Sequence, residues 1–330
     1  MKRLYKNLFL MNLALLVVVL SSCSGSDYLN AIPKKSTALI SVDLQQMASD
    51  KNAEDKAGML KSLLHVDDVD KCGIDISEKL YLFESADGNL GLCAKVSDEG
   101  DVEDWLASLA KKRIASEVKE RKGFHFAVLK DSWLVGFSGQ ALLVMGPVVA
   151  DAQAQLQQQM VKYLKAEEED GITVSPMYER LQTLSSPMAM VAQAQALPEK
   201  FVAPFTLGAP KDTDPSQVVI AADMEVKDGI LQIQGETFSF NETIDKALQK
   251  AVQNYRPIKG SYVKSMPDDA LAGIFMNVNG EQFLPMMQSN RSLQTLLMGI
   301  NQAVDMDNIM RSVDGDMAIV LPTLGDADLK

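Results

Sequence analysis

The chain has 330 residues and a formal net charge of −12 at pH 7. That length suffices for two domains or one large one. An acidic balance with no Lys/Arg cluster interleaved with aromatics repels phosphate backbones, which excludes nucleic-acid binding.

Lys2, Arg3 and Lys6 precede an uncharged apolar run from Leu8 to Leu20. As a helix, that run reaches about 20 Å, short of the roughly 30 Å hydrocarbon core of a bilayer. A basic head, a short apolar core and small residues at the break describe a secretory signal peptide over residues 1–22. Leu20, Ser21, Ser22 and Cys23 resemble a bacterial lipobox. The resemblance implies cleavage between Ser22 and Cys23, a thioether lipid on the Cys23 sulfur and acylation of its new amine. Two or more acyl chains make a stable anchor where one does not. The alternatives are an ordinary cleaved signal with a coincidental cysteine, or a signal anchor. Ser24 stands where an aspartate would hold a lipoprotein at the inner membrane, so resemblance to Gram-negative sorting points to the outer membrane. Residues 23–27 form a short polar tether without an acidic run, leaving periplasmic and surface exposure both open. Loss of residues 1–22 moves the formal charge from −12 to −15.

The body opens with YLNAIPKKSTALISVDL at 28–44. Proline and the charged pair predict an extended residue, a solvated turn and then a buried strand. Leu60, Leu63 and Leu64 suggest a helix face, and KLYLFES at 79–85 a return strand. NLGLCAKVS at 89–97 pairs with it through the turn at Asp87 and Gly88. Val102, Trp105, Leu106 and Leu109 give a helix stripe, with Asp98, Glu99 and Asp101 at its N-terminus. Phe124, Phe126 and Val128 alternate into a turn at Lys130 and Asp131, and Trp133, Val135 and Phe137 alternate back. A strand at 141–147, helices near 150–168 and 175–184, and a strand from Pro187 follow. Residues 218–226 and 230–240 read as a hairpin around Lys227, Asp228 and Gly229, and a helix covers 241–254.

Residues 262–278, YVKSMPDDALAGIFMNV, then repeat the opening at an offset of 234. Tyr28 matches Tyr262, Ile32 matches Met266, Pro33 matches Pro267, Ala38 matches Ala272 and Ile40 matches Ile274. A helix face follows at Leu293, Leu296, Leu297 and Ile300, and a closing strand at 316–322. The predicted fold is α+β: antiparallel sheets with helices packed on one face, built from a duplicated strand–helix–strand unit. Residues 28–255 form the first unit. Residues 256–330 form the start of a second, incomplete one, as in a truncated product or a shortened relative.

Catalytic chemistry is thinly represented. His65 ends a helical stretch, and His125 alternates with two phenylalanines on a strand. GFSGQ at 136–140 is similar to a nucleophile elbow but has Gln140 where glycine is needed. Acidic clusters stand at Asp67, Asp68 and Asp70, at 167–170, and at Asp305, Asp307 and 314–316. None has calcium-loop spacing; Asp305 and Asp307 are the weak candidates for a metal. Cys72 and Cys93 are the cysteines left in the body. Pairing them would close a loop of about 20 residues and contribute about 3 kcal/mol, but separate thiols are favoured, since spacing does not bring Cα atoms together. Trp105 and Trp133 read as core rather than as sugar platforms. Met286, Met287, Met298, Met306 and Met310 read as core filling or as an adaptable apolar surface.

The lipobox, YLNAIPKKSTALISVD at 28–43, CGIDISEKLYLF at 72–83, the second strand from Met266 to Val278 and VDGDMAIVLP at 313–322 together resemble a Bacteroidetes lipoprotein family, domain of unknown function 4836. The motifs are structural, so the resemblance implies no catalytic residues. It does imply that members continue past residue 330. The expected protein is a non-enzymatic envelope lipoprotein, a binding or scaffold module without a cofactor. It is anchored to the outer membrane and meets another envelope protein or a glycan. The alternatives are an anchored hydrolase and a glycan or peptide capture protein.

Overall fold

A strand that is apolar at every position has to be covered on both faces, and two such strands organise the fold. β6 (Trp133–Phe137) and β7 (Ala141–Gly146) are buried at nearly all their positions. The computed structural model describes residues 25–48, 58, 61, 65–66, 68–227, 230–260, 262–266 and 270–322. It sets β6 and β7 within a ten-stranded antiparallel sheet. The order is β10 (Ile230–Phe238), β9 (Val219–Lys227), β8 (Met188–Gln193), β1 (Ala38–Val42), β2 (Leu80–Glu84), β3 (Leu90–Lys95), β7, β6, β5 (Phe124–Leu129) and β4 (Lys119–Arg121). A separate antiparallel pair joins β11 (Ala270–Asn279) to β12 (Asp314–Pro322). Contacts divide the chain into two compact units, Met1–Val191 with Ala222–Gln234, and Ala192–Ala221 with Gly235–Lys330.

In the first unit, Val135, Phe137 and Leu142 pack against Val102, Trp105, Leu106 and Leu109 of the helix Glu99–Lys111. Asp98 caps that helix, accepting from the Asp101 amide at 2.9 Å. Neighbouring strand residues point the other way. Gly136 meets Phe126 and Met160, the latter on the helix Gln153–Leu164, so closely that an added Cβ would stand 2.6 Å from the Phe126 ring. The α+β class and the antiparallel sheet hold as predicted. The helices, however, cover both faces of this sheet and not one. The continuous apolar runs WLVGF and ALLVMG require that, because either face left open would put Leu, Val and Met side chains in water.

Both repeat segments take the same local order. A 3-10 turn, Asp27–Ala31 or Val263–Ser265, precedes β1 or β11. The strand runs into an Asx side chain that accepts an amide three residues on: Gln46 N to Asp43 Oδ1 at 2.8 Å, and Gln282 N to Asn279 Oδ1 at 3.2 Å. That cap opens a helix, and an antiparallel strand returns, β2 beside β1 and β12 beside β11. The lead-in tyrosines differ. Tyr28 is buried and donates to Lys79 O at 2.9 Å, whereas Tyr262 is 49% exposed.

Leu60, Leu63 and Leu64 lie outside the described residues, as do Asp228 and Gly229 of the predicted hairpin turn. In the second unit, Leu297 is buried with Val278, Phe283, Leu284 and Met310. Met286, Met287 and Met306 are half-buried against that cluster, so these methionines fill core, while Met298 is exposed.

Candidate binding cleft

The cleft is built from a turn, a helix end and an acidic loop of the first unit. Ile32 is buried completely, which forces the chain to turn outward at Pro33. Ser36 N donates to Pro33 O at 3.0 Å, so Lys34 and Lys35 occupy the middle of a tight solvated turn. Opposite runs the helix Gln153–Leu164, whose Leu156, Met160 and Val161 are buried. That periodicity leaves Lys162 on its outer side and Tyr163, half-buried, at the edge of the buried stripe; Lys165, one residue past the helix, is exposed. The chain then doubles back through the short 3-10 turn Glu168–Asp170 to Gly171. Gly171 forms a bridge with Pro33, and Lys34 N donates to Asp170 O at 3.1 Å. A Cβ at Gly171 would stand 2.8 Å from the Asn30 Cα, so only glycine allows the acidic loop to lie this close to the lysine turn.

The resulting cleft encloses about 780 Å³, within the usual range for small-molecule sites. Lys34, Lys35, Lys162 and Lys165 line it, together with Tyr163, Glu167, Glu169 and Asp170. Lys34 is committed, pairing with Asp170 at 3.5 Å and donating to Glu169 O at 2.8 Å. Lys165 lies over the Phe124 ring, 5.8 Å from its centroid. Lys35 and Lys162 are exposed and form no ion pair among the described residues. Two uncommitted ammonium groups facing a concave surface can take a carboxylate or a phosphate. The three carboxylates that line the same cleft repel a purely anionic body and favour one that also offers hydroxyls.

Beside this cleft lies a buried phenol cluster. Tyr28 and Tyr81, and Tyr81 and Tyr178, stand with ring centroids 6.3 Å apart, and the Cys93 Sγ donates to Tyr28 O at 3.4 Å. Burial holds the Tyr28, Tyr81 and Tyr178 phenols and the Cys93 thiol above their ordinary ionisation ranges. The sign follows from linkage. The contribution is fully present below the unfolded-state values, about 8.5 for Cys and 10 for Tyr, and is lost as pH rises, because the unfolded chain ionises first. Urea midpoints are therefore expected to be level to about pH 8 and to fall steeply above about pH 10. Tyr28→Phe should flatten that fall; an identical slope in the two proteins would contradict the burial argument.

The residues singled out from sequence are scattered. Ser22 and Cys23 lie outside the described residues, and the described body begins at Gly25. A Cβ there would stand 3.5 Å from Glu78 Oε1 and 3.8 Å from Lys95 Nζ. Lys95 pairs with both Asp75 and Glu78 at 3.2 Å; the Ser77 hydroxyl and then Lys95 hold the Asp75 carboxyl below its usual range. Cys72 packs with Val102 and Trp105 on the face that Leu92 joins. Cys93, the next residue along β3, points to the opposite face. The sheet separates the two thiols, and they form no disulfide.

Asp305 caps the helix Met306–Ser312, accepting from Asn308 N at 3.1 Å and Asn308 Nδ2 at 2.6 Å. Asp307 accepts from Gln288 Nε2 and Asn301 Nδ2, both at 2.8 Å. Asp314 pairs with Arg256 at 2.8 Å, and Asp316 accepts from Asn277 Nδ2 at 2.8 Å. Among the described residues no group of three or more His, Cys, Asp or Glu is placed to hold a metal ion. His65 takes a positive φ of 55° and its carbonyl accepts from Lys112 Nζ at 3.0 Å. His125 stacks on Phe137 and meets Glu99 Oε1 at 3.1 Å. The Ser138 oxygen accepts the Gln140 and Ala141 amides at 3.3 Å, closing the β6–β7 turn. Trp105 is buried and Trp133 half-buried.

Sequence reasoning missed the cleft, although its parts were visible. The Lys34–Lys35 pair reads as a turn and the 167–170 cluster as a solvated helix end; only the Gly171 approach shows that they meet. Comparison with known proteins gives three findings. A family model described as domain of unknown function (DUF4836) matches residues 44–325. No curated protein matches the chain. A solved structure titled "Structure of crystal form III of TP0453" is similar at 12% identity and a TM-score of 0.33, over 68% of this chain and 96% of that one.

Proposed function

We propose that this chain, which belongs to the domain-of-unknown-function 4836 family, is a non-enzymatic envelope lipoprotein. In this reading a lipidated Cys23 holds the body at the outer membrane, and the lysine cleft captures an acidic glycan. The observation that carries the reading is the pair of uncommitted lysines, Lys35 and Lys162, in a cleft of about 780 Å³. The cleft also sits near the anchor end of the chain. The 3-10 turn Asp27–Ala31, about 10 Å long at roughly 2 Å per residue, leads from the first described residues to Asn30 on the cleft lining. The acidic lining suits a sugar, whose hydroxyls donate to carboxylates while its own carboxylate meets the lysines.

The hydrolase alternative would place two carboxylates on opposite sides of a bound sugar. Here Glu167, Glu169 and Asp170 belong to one four-residue segment, all are exposed, and Asp170 is engaged by Lys34. Calorimetry with oligogalacturonate and with neutral oligogalactose tests the capture reading. The acidic sugar should bind and the neutral one should not, with affinity falling as salt rises. The double variant Lys35→Glu, Lys162→Glu should weaken binding at least about tenfold, about 1.4 kcal/mol. Equal affinity for both sugars, or an unaffected double variant, would remove the cleft from the proposal.

A further inference from the structure

The two edges of the ten-stranded sheet are built differently. β4 ends one side with three residues, Lys119, Glu120 and Arg121, all exposed. A short, fully charged strand is how a sheet edge discourages pairing with another chain. β10 ends the other side with nine residues, ILQIQGETF, the first seven exposed. Ile230, Leu231 and Ile233 are 63%, 52% and 60% exposed, and Val226 on β9 adds to the apolar surface. Glu236 is the one ionisable side chain on the strand. A nine-residue edge strand, apolar at three of its exposed positions and with alternate residues turning their backbone donors and acceptors outward, makes a template for another strand.

We propose that β10 pairs antiparallel with β10 of a second copy of this chain, about a two-fold axis at Ile233. An isologous contact sets each residue against its symmetry counterpart. With Ile233 opposite itself, Leu231 falls opposite Gly235, Gln232 opposite Gln234 and Ile230 opposite Glu236. Leu231 and Ile233 of both copies then share one face as a continuous apolar stripe. No like charges stand opposite each other, and the glutamine pair supplies complementary amides.

The test uses the full chain purified in detergent. Sedimentation at several protein concentrations should show a dimer that dissociates on dilution, and Ile233→Lys should give a monomer at concentrations where the parent is dimeric. Residues directly opposite across an antiparallel pair have Cα atoms about 4.5–5.5 Å apart, within disulfide reach. Ile233→Cys should therefore form an intermolecular disulfide. Ile230→Cys, whose symmetry mate stands roughly 20 Å away at about 3.4 Å per residue, should not. A monomeric parent at every concentration, equal cross-linking at both positions, or assembly only with a different protein on β10 would overturn the proposal.

Discussion

Cys23→Ser is expected to abolish lipid labelling and to move the protein from the membrane fraction to the soluble one. The expected effect is near total because, in the proposed lipoprotein, the acyl chains on Cys23 are what hold the body to the bilayer. None of the helices among the described residues is long and apolar enough to cross a membrane. The net charge of −12 adds repulsion from anionic lipid rather than attraction. Acyl chains contribute about 0.8 kcal/mol per buried methylene, and two or more are needed for stable attachment; losing the sulfur removes the point where they start. Metabolic labelling with palmitate followed by fractionation of wild type and variant is the measurement. A variant that stays in the membrane pellet without label would show attachment by another route and defeat the anchor reading.

The second large effect concerns the core of the first unit. Phe137→Ala is expected to cost about 3–5 kcal/mol, the range for truncating a buried aromatic. Phe137 is 0% exposed, shares a buried cluster with Leu106 of the helix Glu99–Lys111 and with Leu142, and stacks against the His125 ring with centroids 5.1 Å apart. Whole domains are stable by only about 5–15 kcal/mol, so urea denaturation should show a large loss or a protein that no longer folds. Leu82→Ser, on the same sheet but 40% exposed, serves as the comparison and should cost far less. A Phe137→Ala variant no less stable than Leu82→Ser would mean that the helix is not packed on β6.

These two residues also show where sequence reading succeeds and where it stops. Phe137 is legible because Trp133, Val135 and Phe137 alternate and the helix stripe of Trp105, Leu106 and Leu109 offers a matching face. The intervening Leu134 and Gly136 carry the information that a second layer covers β6 from behind, yet a glycine leaves no periodic mark. β4 is illegible for a related reason: Lys119, Glu120 and Arg121 bury nothing, so their strand exists only through pairing with His125 and its neighbours. The cleft depends on Gly171 lying against Asn30, a contact across more than 130 residues that no local pattern encodes. The lipobox resemblance at Cys23 stands at the other extreme, since the processing it implies would be read from the chain itself and folding adds nothing to it.

The early start of the folded body has a mechanical corollary. Gly25 already lies close to Glu78 and Lys95, so in the proposed lipoprotein only Ser24 would separate the lipidated Cys23 from the described body. Two residue steps span at most about 7 Å. A body moored so closely would have little freedom of height above the bilayer. The surface around the Asp75–Lys95–Glu78 ion pairs would ride at headgroup level like a keel. Which partners could then dock would be decided by how the body leans and turns on its mooring, since height above the bilayer would hardly vary from one molecule to the next.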